Sequence, residues 1–118
     1  MCGIAGVIHR RAGLAPPELT QLSTMAGALS HRGPDEFGLY RDRQAGLAHA
    51  RLSIIDLATG QQPLTNERGT LWITFNGEIF NYLELRDELV ARGHQFRTRG
   101  DTEVIVHAYE QWGVDCVK

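Results

Sequence analysis

The segment at residues 2–9, CGIAGVIH, constrains the fold most, because it is apolar, rich in glycine and followed by the charged pair Arg10 and Arg11. A short apolar run of this kind predicts a buried strand, and its glycines predict that neighbouring backbone approaches closely. Cys2 therefore stands at the beginning of a predicted buried strand.

Helical and strand-like patterns alternate along the rest of the sequence. Predicted helices follow Pro16–Pro17, Asn81 and Asp101, and predicted strands cover residues 37–40, 47–55, 71–76 and 94–98. The apolar stripe of the third helix is predicted to consist of Ile105, Ala108, Tyr109 and Trp112. Within 47–55, His49 and Arg51 alternate with apolar residues and therefore share a polar face. This order predicts an α+β fold in which helices cover an antiparallel sheet.

The composition bounds the function further. The 118 residues fit one domain, with 42% hydrophobic residues and a net charge of −2. This balance favours neither nucleic acid nor an anionic membrane as a partner, and no apolar run is long enough to span a bilayer. With two cysteines and no signal peptide, we expect a reduced, cytoplasmic protein. The five histidines lack metal-ligand spacing and no P-loop occurs, so neither a zinc site nor that kind of nucleotide site is predicted.

Cys2 admits a chemical interpretation as well as a structural one. Removal of Met1 would leave the thiol next to a free α-amine, and such an amine can act as the base for its own side chain. The reference pKa values of thiol and amine differ by less than about one unit, so moving the proton costs only about 1 kcal/mol. The alternative is a small buried residue that opens a strand.

Five short motifs, taken in order, resemble one known family. They are Cys2-Gly-Ile-Ala-Gly6, His31-Arg-Gly-Pro-Asp35, Arg51-Leu-Ser-Ile-Ile-Asp56, Phe75-Asn-Gly-Glu-Ile-Phe80 and Gly100-Asp-Thr-Glu-Val104. Along its whole length the chain is similar to the glutaminase domain of glutamine-hydrolysing asparagine synthetases, which are class II glutamine amidotransferases within the N-terminal-nucleophile (Ntn) hydrolases. The resemblance implies an αββα sandwich, truncated here before the second sheet is completed. Residues 1–118 would then be the N-terminal part of a glutamine amidotransferase type 2 domain, with the synthetase domain absent.

The resemblance also implies catalytic roles. Cys2 would attack the side-chain amide carbon of L-glutamine and form a thioester, while its own α-amine relays the proton to departing ammonia. Asn76 and Gly77 resemble the oxyanion hole, the asparagine side chain and the glycine N–H serving as donors. Without the family, Asn76-Gly77 would also fit a tight hairpin turn, although a helix start follows it directly.

Other positions resemble the family's glutamine pocket. Arg51 corresponds to the clamp for the α-carboxylate of free glutamine, and Asp101 to the residue that receives its α-ammonium group. The remaining pocket positions are Leu52, Ser53, Ile54, Ile55 and Glu78. Taken alone, Arg51 would be a structural salt-bridge partner and Asp101 a helix N-cap. The segment 31–35 resembles a loop near the active site and is assigned no catalytic role.

The resemblance therefore implies a glutaminase. Ammonia from L-glutamine would pass to a C-terminal synthetase domain of the same full-length chain, which would use ATP and Mg²⁺ to amidate aspartate or a related carboxylate. In this chain itself we expect no cofactor and no metal. Whether the protein forms a homodimer stays open. The alternative function is a non-catalytic module that binds glutamine or a partner domain.

Overall fold

The computed structural model describes residues 1–52 and 60–118 of the chain. Its strands are β1 (Gly3–Ile8), β2 (Glu36–Arg41), β3 (Ala45–Arg51), β4 (Leu64–Thr65) and β5 (Trp72–Ile73). Its helices are α1 (Leu19–Ala28), α2 (Tyr82–Ala91) and α3 (Thr102–Trp112), and a 3₁₀ turn follows at Gly113–Val117. None of the helices in the described ranges is long and apolar enough to span a bilayer.

Strand β3 is the centre of an antiparallel sheet with the strand order β1–β3–β2. A Cβ atom at Gly46 would lie 2.7 Å from the side chain of Leu22, so this face of β3 lies directly under α1. Alternation along the strand brings Ala48 and Ala50 to the same face, and both are completely buried. Small side chains on β3 thus let α1 pack closely on the sheet.

The opposite face of β3 carries polar side chains that are nevertheless buried. His49 is completely buried and Arg51 is almost so. The ring Nδ1 of His49 lies 2.8 Å from the hydroxyl oxygen of Thr74, which follows β5. The polar face predicted from the alternation is therefore confirmed, and β3 is covered on both sides.

A separate apolar core lies between α2 and α3. It consists of Leu89, Val104 and Ala108, with Tyr82, Leu85, Phe96, Trp112 and Cys116 packed against them. The predicted stripe of α3 is confirmed at Ala108 and Trp112 but wrong at Tyr109, which is 45% exposed. The helix is rotated from the predicted orientation because it buries polar side chains as well as apolar ones.

Glu103 is the buried polar residue that explains this rotation. Its carboxylate accepts hydrogen bonds from the backbone N–H groups of Arg97 at 2.9 Å and Thr98 at 2.7 Å. Burial alone would raise the pKa of Glu103, but hydrogen bonds from His107 and from these groups outweigh it and lower the pKa to about 2. The prediction of a strand at 94–98 is wrong, because backbone donors of this segment bind carboxylates instead of a neighbouring strand.

Two further predictions differ from the structure in detail. The strand predicted at 71–76 is reduced to Trp72–Ile73, which pairs with Leu64–Thr65. Asn81 occupies the N-cap position of α2, but its side chain makes no capping hydrogen bond. With two small sheets and three helices in the described ranges, the α+β class is confirmed.

Candidate active site

One pocket of about 330 Å³ gathers the predicted site residues that the structure describes. They are Cys2, Arg51, Leu52, Asn76, Gly77, Glu78 and Asp101. These residues come from separate segments of the sequence, and the fold brings all of them to the same cavity. The predicted positions Ser53, Ile54 and Ile55 lie outside the described residues.

The thiol of Cys2 is held against the backbone at the end of β3. Its sulfur lies 3.3 Å from the amide nitrogen of Leu52, which donates to it, and 3.6 Å from the carbonyl oxygen of Leu52, to which it donates. The pairing of Gly3 with Ala50 in the antiparallel ladder fixes this position. Met1 lines the same pocket and is 73% exposed.

Arg32 supports Cys2 from the segment between α1 and β2. Its Nε donates to the carbonyl oxygen of Cys2 at 3.1 Å. The neighbouring Gly33 packs so tightly that a Cβ atom there would overlap the carbonyl of Ala50. This segment thus braces both strands that position the thiol, a structural role that its sequence alone does not reveal.

Arg51 faces the pocket and is paired with Glu36. The two residues are direct cross-strand partners in the register of β2 and β3, and Nη1 of Arg51 lies 2.7 Å from Oε2 of Glu36. The hydrogen bond from Arg51 is the main cause of a lowered pKa for the Glu36 carboxyl group. The structural salt bridge is therefore present, and Arg51 also lines the cavity.

Asn76, Gly77 and Glu78 form an exposed edge of the pocket. A Cβ atom at Gly77 would lie 2.5 Å from the ring of Phe75, so a larger residue would displace that ring. The chain enters α2 soon after Gly77, whereas a two-residue hairpin would require a second strand there. The hairpin alternative for Asn76-Gly77 is therefore wrong.

Asp101 connects the start of α3 to this edge. Its Oδ2 accepts a hydrogen bond from the backbone N–H of Ile79 at 2.8 Å, and the residue is 7% exposed. It occupies the N-cap position of α3, but no capping hydrogen bond forms from its side chain. The expectation that Asp101 caps its own helix is wrong, because the carboxylate binds the loop after Gly77 instead.

Gln62 lines the pocket, although no sequence pattern indicated it as a site residue. Its Oε1 accepts from the backbone N–H of Phe75 at 2.6 Å, and its Nε2 donates to the hydroxyl of Thr102 at 3.2 Å. One amide side chain thereby joins the segment of the candidate oxyanion hole to the first turn of α3. An amide in a loop carries no local pattern that would have indicated this bridge.

His49 is the titratable group with the clearest perturbation near the site. Burial lowers its pKa to about 4, and the charge of Arg51 adds to this effect. The imidazole is therefore neutral at physiological pH. His49 is not among the residues that line the pocket, although Arg51, on the same face of the strand, is.

Comparisons with known proteins agree with this geometry. Residues 1–118 match a family described as the glutamine amidotransferase domain. Glutamine-hydrolyzing asparagine synthetase 2 of Bacillus subtilis (strain 168) is 46% identical over 122 residues, which cover 99% of this chain and 16% of that protein. Glutamine-hydrolyzing asparagine synthetase 1 of Arabidopsis thaliana is 47% identical over 117 residues, which cover 99% of this chain and 20% of that protein.

The chain thus spans about a fifth or less of the length of these curated relatives. A probable glutamine-hydrolyzing asparagine synthetase of Dictyostelium discoideum matches in the same way, at 43% identity over 99% of this chain. The family resemblance indicated by the sequence motifs is confirmed. The chain belongs to the glutamine amidotransferase domain family.

Proposed function

We propose that this domain hydrolyses L-glutamine to glutamate and ammonia, with Cys2 as the nucleophile. The observation that carries the proposal is the position of the Cys2 thiol, which shares one pocket with Arg51, Asn76, Gly77 and Asp101. The names of the relatives support glutamine as the substrate. Hydrolysis of the side-chain amide requires a nucleophile and donors for the oxyanion, and recognition of a free amino acid is served by one cationic and one anionic side chain. The pocket contains a candidate for each of these groups.

The proposed reaction begins with the removal of Met1, which frees the α-amine of Cys2. The amine takes the thiol proton, and the sulfur forms a bond to the side-chain carbonyl carbon of glutamine. The carbon–nitrogen bond then breaks, and the amine returns its proton to the leaving nitrogen, which departs as ammonia. Water attacks the resulting thioester and breaks the carbon–sulfur bond, which releases glutamate and restores the thiol.

We assign to Asn76 and Gly77 the stabilisation of the negative charge that develops on the oxygen of the tetrahedral intermediate. Backbone and side-chain amide donors that are already in place stabilise such an oxyanion without reorganisation, and loss of one donor typically costs about 3 kcal/mol. Gln62 supports this assignment because it binds the N–H of Phe75, directly before Asn76. The donors are thereby fixed to the first turn of α3.

We assign the binding of the α-carboxylate of free glutamine to Arg51 and the binding of its α-ammonium group to Asp101. A guanidinium can bind a carboxylate through two parallel hydrogen bonds, and a carboxylate can accept from an ammonium group. The pairing of Arg51 with Glu36 restricts the orientation of the guanidinium toward the pocket. Glu78 and the backbone of 52–55 complete the proposed substrate contacts.

We further propose that the ammonia serves an ATP-dependent synthetase domain, with aspartate or a related carboxylate as the acceptor. The names and the greater length of the relatives support this arrangement. The proposed architecture of the complete domain is the αββα sandwich of the Ntn hydrolases. The packing of α1 on the three-stranded sheet and the contacts of α3 with β4 support that layer order.

The second candidate function is glutamine binding without hydrolysis. It is favoured if Met1 is retained, because the nitrogen of Cys2 is then an amide and cannot act as a base. Intact-mass spectrometry of the protein as purified from its cell decides this point. A mass without Met1 supports the hydrolase, and a fully retained Met1 supports the binding module.

The activity test measures ammonia release from millimolar glutamine with the protein as it is made in the cell, so that any residues outside this chain are included. Cys2→Ala is expected to abolish ammonia release, while any synthesis driven by added ammonia continues. Cys116→Ala is the matched control, because this second cysteine packs at the α2–α3 core. Ammonia release that survives in Cys2→Ala would overturn the proposal.

A further inference from the structure

A cluster of two histidines and two glutamates includes two residues of α3 and shares no residue with the proposed glutamine pocket. It consists of Glu67, His94, His107 and Glu110, and one ligand atom from each lies within 4.8 Å of all the others. Nδ1 of His94 is 3.7 Å from Glu67 and 3.9 Å from Glu110, and Nδ1 of His107 is 3.5 Å from Glu67. The four residues come from three separate segments of the chain.

His107 provides an independent sign that the cluster holds a ligand. The residue is completely buried, and within the described part of the chain its Nδ1 has no hydrogen-bond partner. Its Nε2 lies 3.4 Å from a carboxylate oxygen of Glu103, which can only accept, so the ring proton belongs on Nε2. Nδ1 then carries a lone pair 3.5 Å from a carboxylate oxygen of Glu67, so a proton or a metal ion between the two atoms would remove their repulsion.

We propose that these four residues bind a Zn²⁺ ion. Two imidazole nitrogens and two carboxylate oxygens suit zinc, whereas Mg²⁺ and Ca²⁺ prefer sites made of oxygen ligands alone. Zinc bonds of about 2.0–2.2 Å in a tetrahedron separate neighbouring ligand atoms by about 3.3 Å. The three shortest separations are 3.5–3.9 Å and all four ligand atoms lie within 4.8 Å of one another, so zinc binding needs a contraction of up to about 1.5 Å.

The surroundings of the cluster resemble those of known metal centres. Metal-binding histidines usually donate their second ring nitrogen to an oxygen acceptor, which fixes the ring. His107 has Glu103 in this position, and His94 has the amide oxygen of Gln111 at 3.2 Å. Asn66 donates to Glu110 at 3.2 Å, and the backbone N–H of Gln95 donates to Glu67 at 2.7 Å. Both carboxylates are thereby oriented as well.

An ion can reach the cluster from solvent. Glu67, His94 and Glu110 line an open cleft of about 500 Å³ beside Gly93. Nε of Arg68 lies 3.7 Å from Oε1 of Glu110, and the Arg68 side chain is 78% exposed. The zinc would join the turn after β4 and the segment after α2 to the middle of α3. Its role is therefore structural, since it would fix the helix that begins at Asp101.

The test measures zinc binding to the purified chain without a histidine tag, by competition with a chromophoric chelator. A Cys2→Ala, Cys116→Ala background removes the thiols, which are strong zinc ligands themselves. We expect one zinc per chain, binding weakened more than tenfold by His94→Gln and by Glu110→Gln, and unchanged binding in His31→Gln. His31 is an exposed histidine outside the cluster and so is the matched control.

Two further readouts separate a metal site from a network of protonated histidines. Co²⁺ should give the strong visible absorption of a tetrahedral site, and zinc at 100 times its Kd should raise the melting temperature by about 5 °C or more. Mg²⁺ at the same concentration should do neither. No stoichiometric zinc binding, or binding that is equal in His94→Gln and the His31→Gln control, would overturn the proposal. Because none of these measurements involves glutamine, failure here is independent of the proposed hydrolase.

Discussion

The thiol of Cys2 lies 3.3 Å from the backbone nitrogen of Leu52, the residue that directly follows Arg51. Antiparallel pairing of β1 with β3 produces this contact, since Gly3 stands opposite Ala50. The proposed nucleophile and the proposed carboxylate clamp are therefore positioned by adjacent strands of one sheet. Strand pairing holds such groups more rigidly than loops do, which is what catalysis requires.

Replacement of the nucleophile by serine tests the role of thiol acidity. Cys2→Ser replaces the thiol with a hydroxyl, which can still act as a nucleophile. The pKa of a hydroxyl, however, lies far above that of the α-amine. We expect ammonia release to fall by about two orders of magnitude or more, close to the loss in Cys2→Ala. Steady-state assays with glutamine check this, and near-normal activity in Cys2→Ser would show that the reaction does not depend on the acidity of the thiol.

Arg51→Lys tests the recognition of the α-carboxylate. Lysine keeps the charge but loses the two-pronged hydrogen bonding, so we expect a higher KM at a cost of about 2 kcal/mol in kcat/KM. Arg92→Lys is a matched control, because Arg92 pairs with Glu88 on the exposed surface of α2.

The salt bridge with Glu36 gives Arg51 a second, purely structural role that this experiment must separate. Glu36→Gln removes that role and leaves the guanidinium in place. If Glu36→Gln raises KM while Arg51→Lys does not, or if a glutamine amide with a blocked carboxylate reacts as well as glutamine, the clamp assignment is wrong.

Two substitutions at Asp101 separate its structural contact from its charge. Asp101→Asn keeps an oxygen that can accept from the N–H of Ile79, so we expect normal stability with a raised KM for glutamine. Asp101→Ala removes the acceptor too and should lower the free energy of unfolding by about 1–3 kcal/mol. Urea titration and steady-state kinetics measure the two effects, and an unchanged KM in Asp101→Asn would exclude the ammonium site.

The buried His49 predicts how stability depends on pH. The pKa of His49 is about 4 in the folded chain and about 6.5 in the unfolded chain. Above pH 6.5 the imidazole is therefore mostly neutral in both the folded and the unfolded state. Between pH 6.5 and about 4 the unfolded state binds the proton first, and stability should fall by about 2–3 kcal/mol.

His49→Gln should remove this part of the slope and leave the rest of the profile in place. Urea unfolding of both chains at pH 7 and pH 4.5 measures the difference. Equal losses in the two chains between these pH values would contradict the assignment to His49.

The sequence predicted the parts of the fold that rest on local apolar patterns. The strand that begins at Gly3, the helix after Pro17 and the polar face with His49 and Arg51 all follow from periodicity. The strand predicted at 94–98 was wrong, because the backbone of this segment binds the carboxylates of Glu67 and Glu103 and does not pair with a neighbouring strand. Hydrogen bonds between a side chain and a distant backbone have no periodic signature.

The candidate site was predictable for a different reason, since its residues lie in short motifs that resemble one family. The structure brings the described ones together around Cys2. The supporting contacts of Arg32 and Gln62 were not predicted, because Arg32 acts through one hydrogen bond and Gln62 through two, all between residues far apart in the sequence. The proposed metal site was not predicted, because its candidate ligands are spread over more than 40 residues, from Glu67 to Glu110.

Acid quenching during glutamine turnover, followed by peptide mass spectrometry, tests the central claim most directly. If Cys2 is the nucleophile, the N-terminal peptide without Met1 will carry one glutamyl group on the sulfur of Cys2. Hydroxylamine treatment will remove the group, and Cys2→Ala will show none. Ammonia release without any glutamyl adduct on Cys2, or with the adduct on another residue, would contradict the claim.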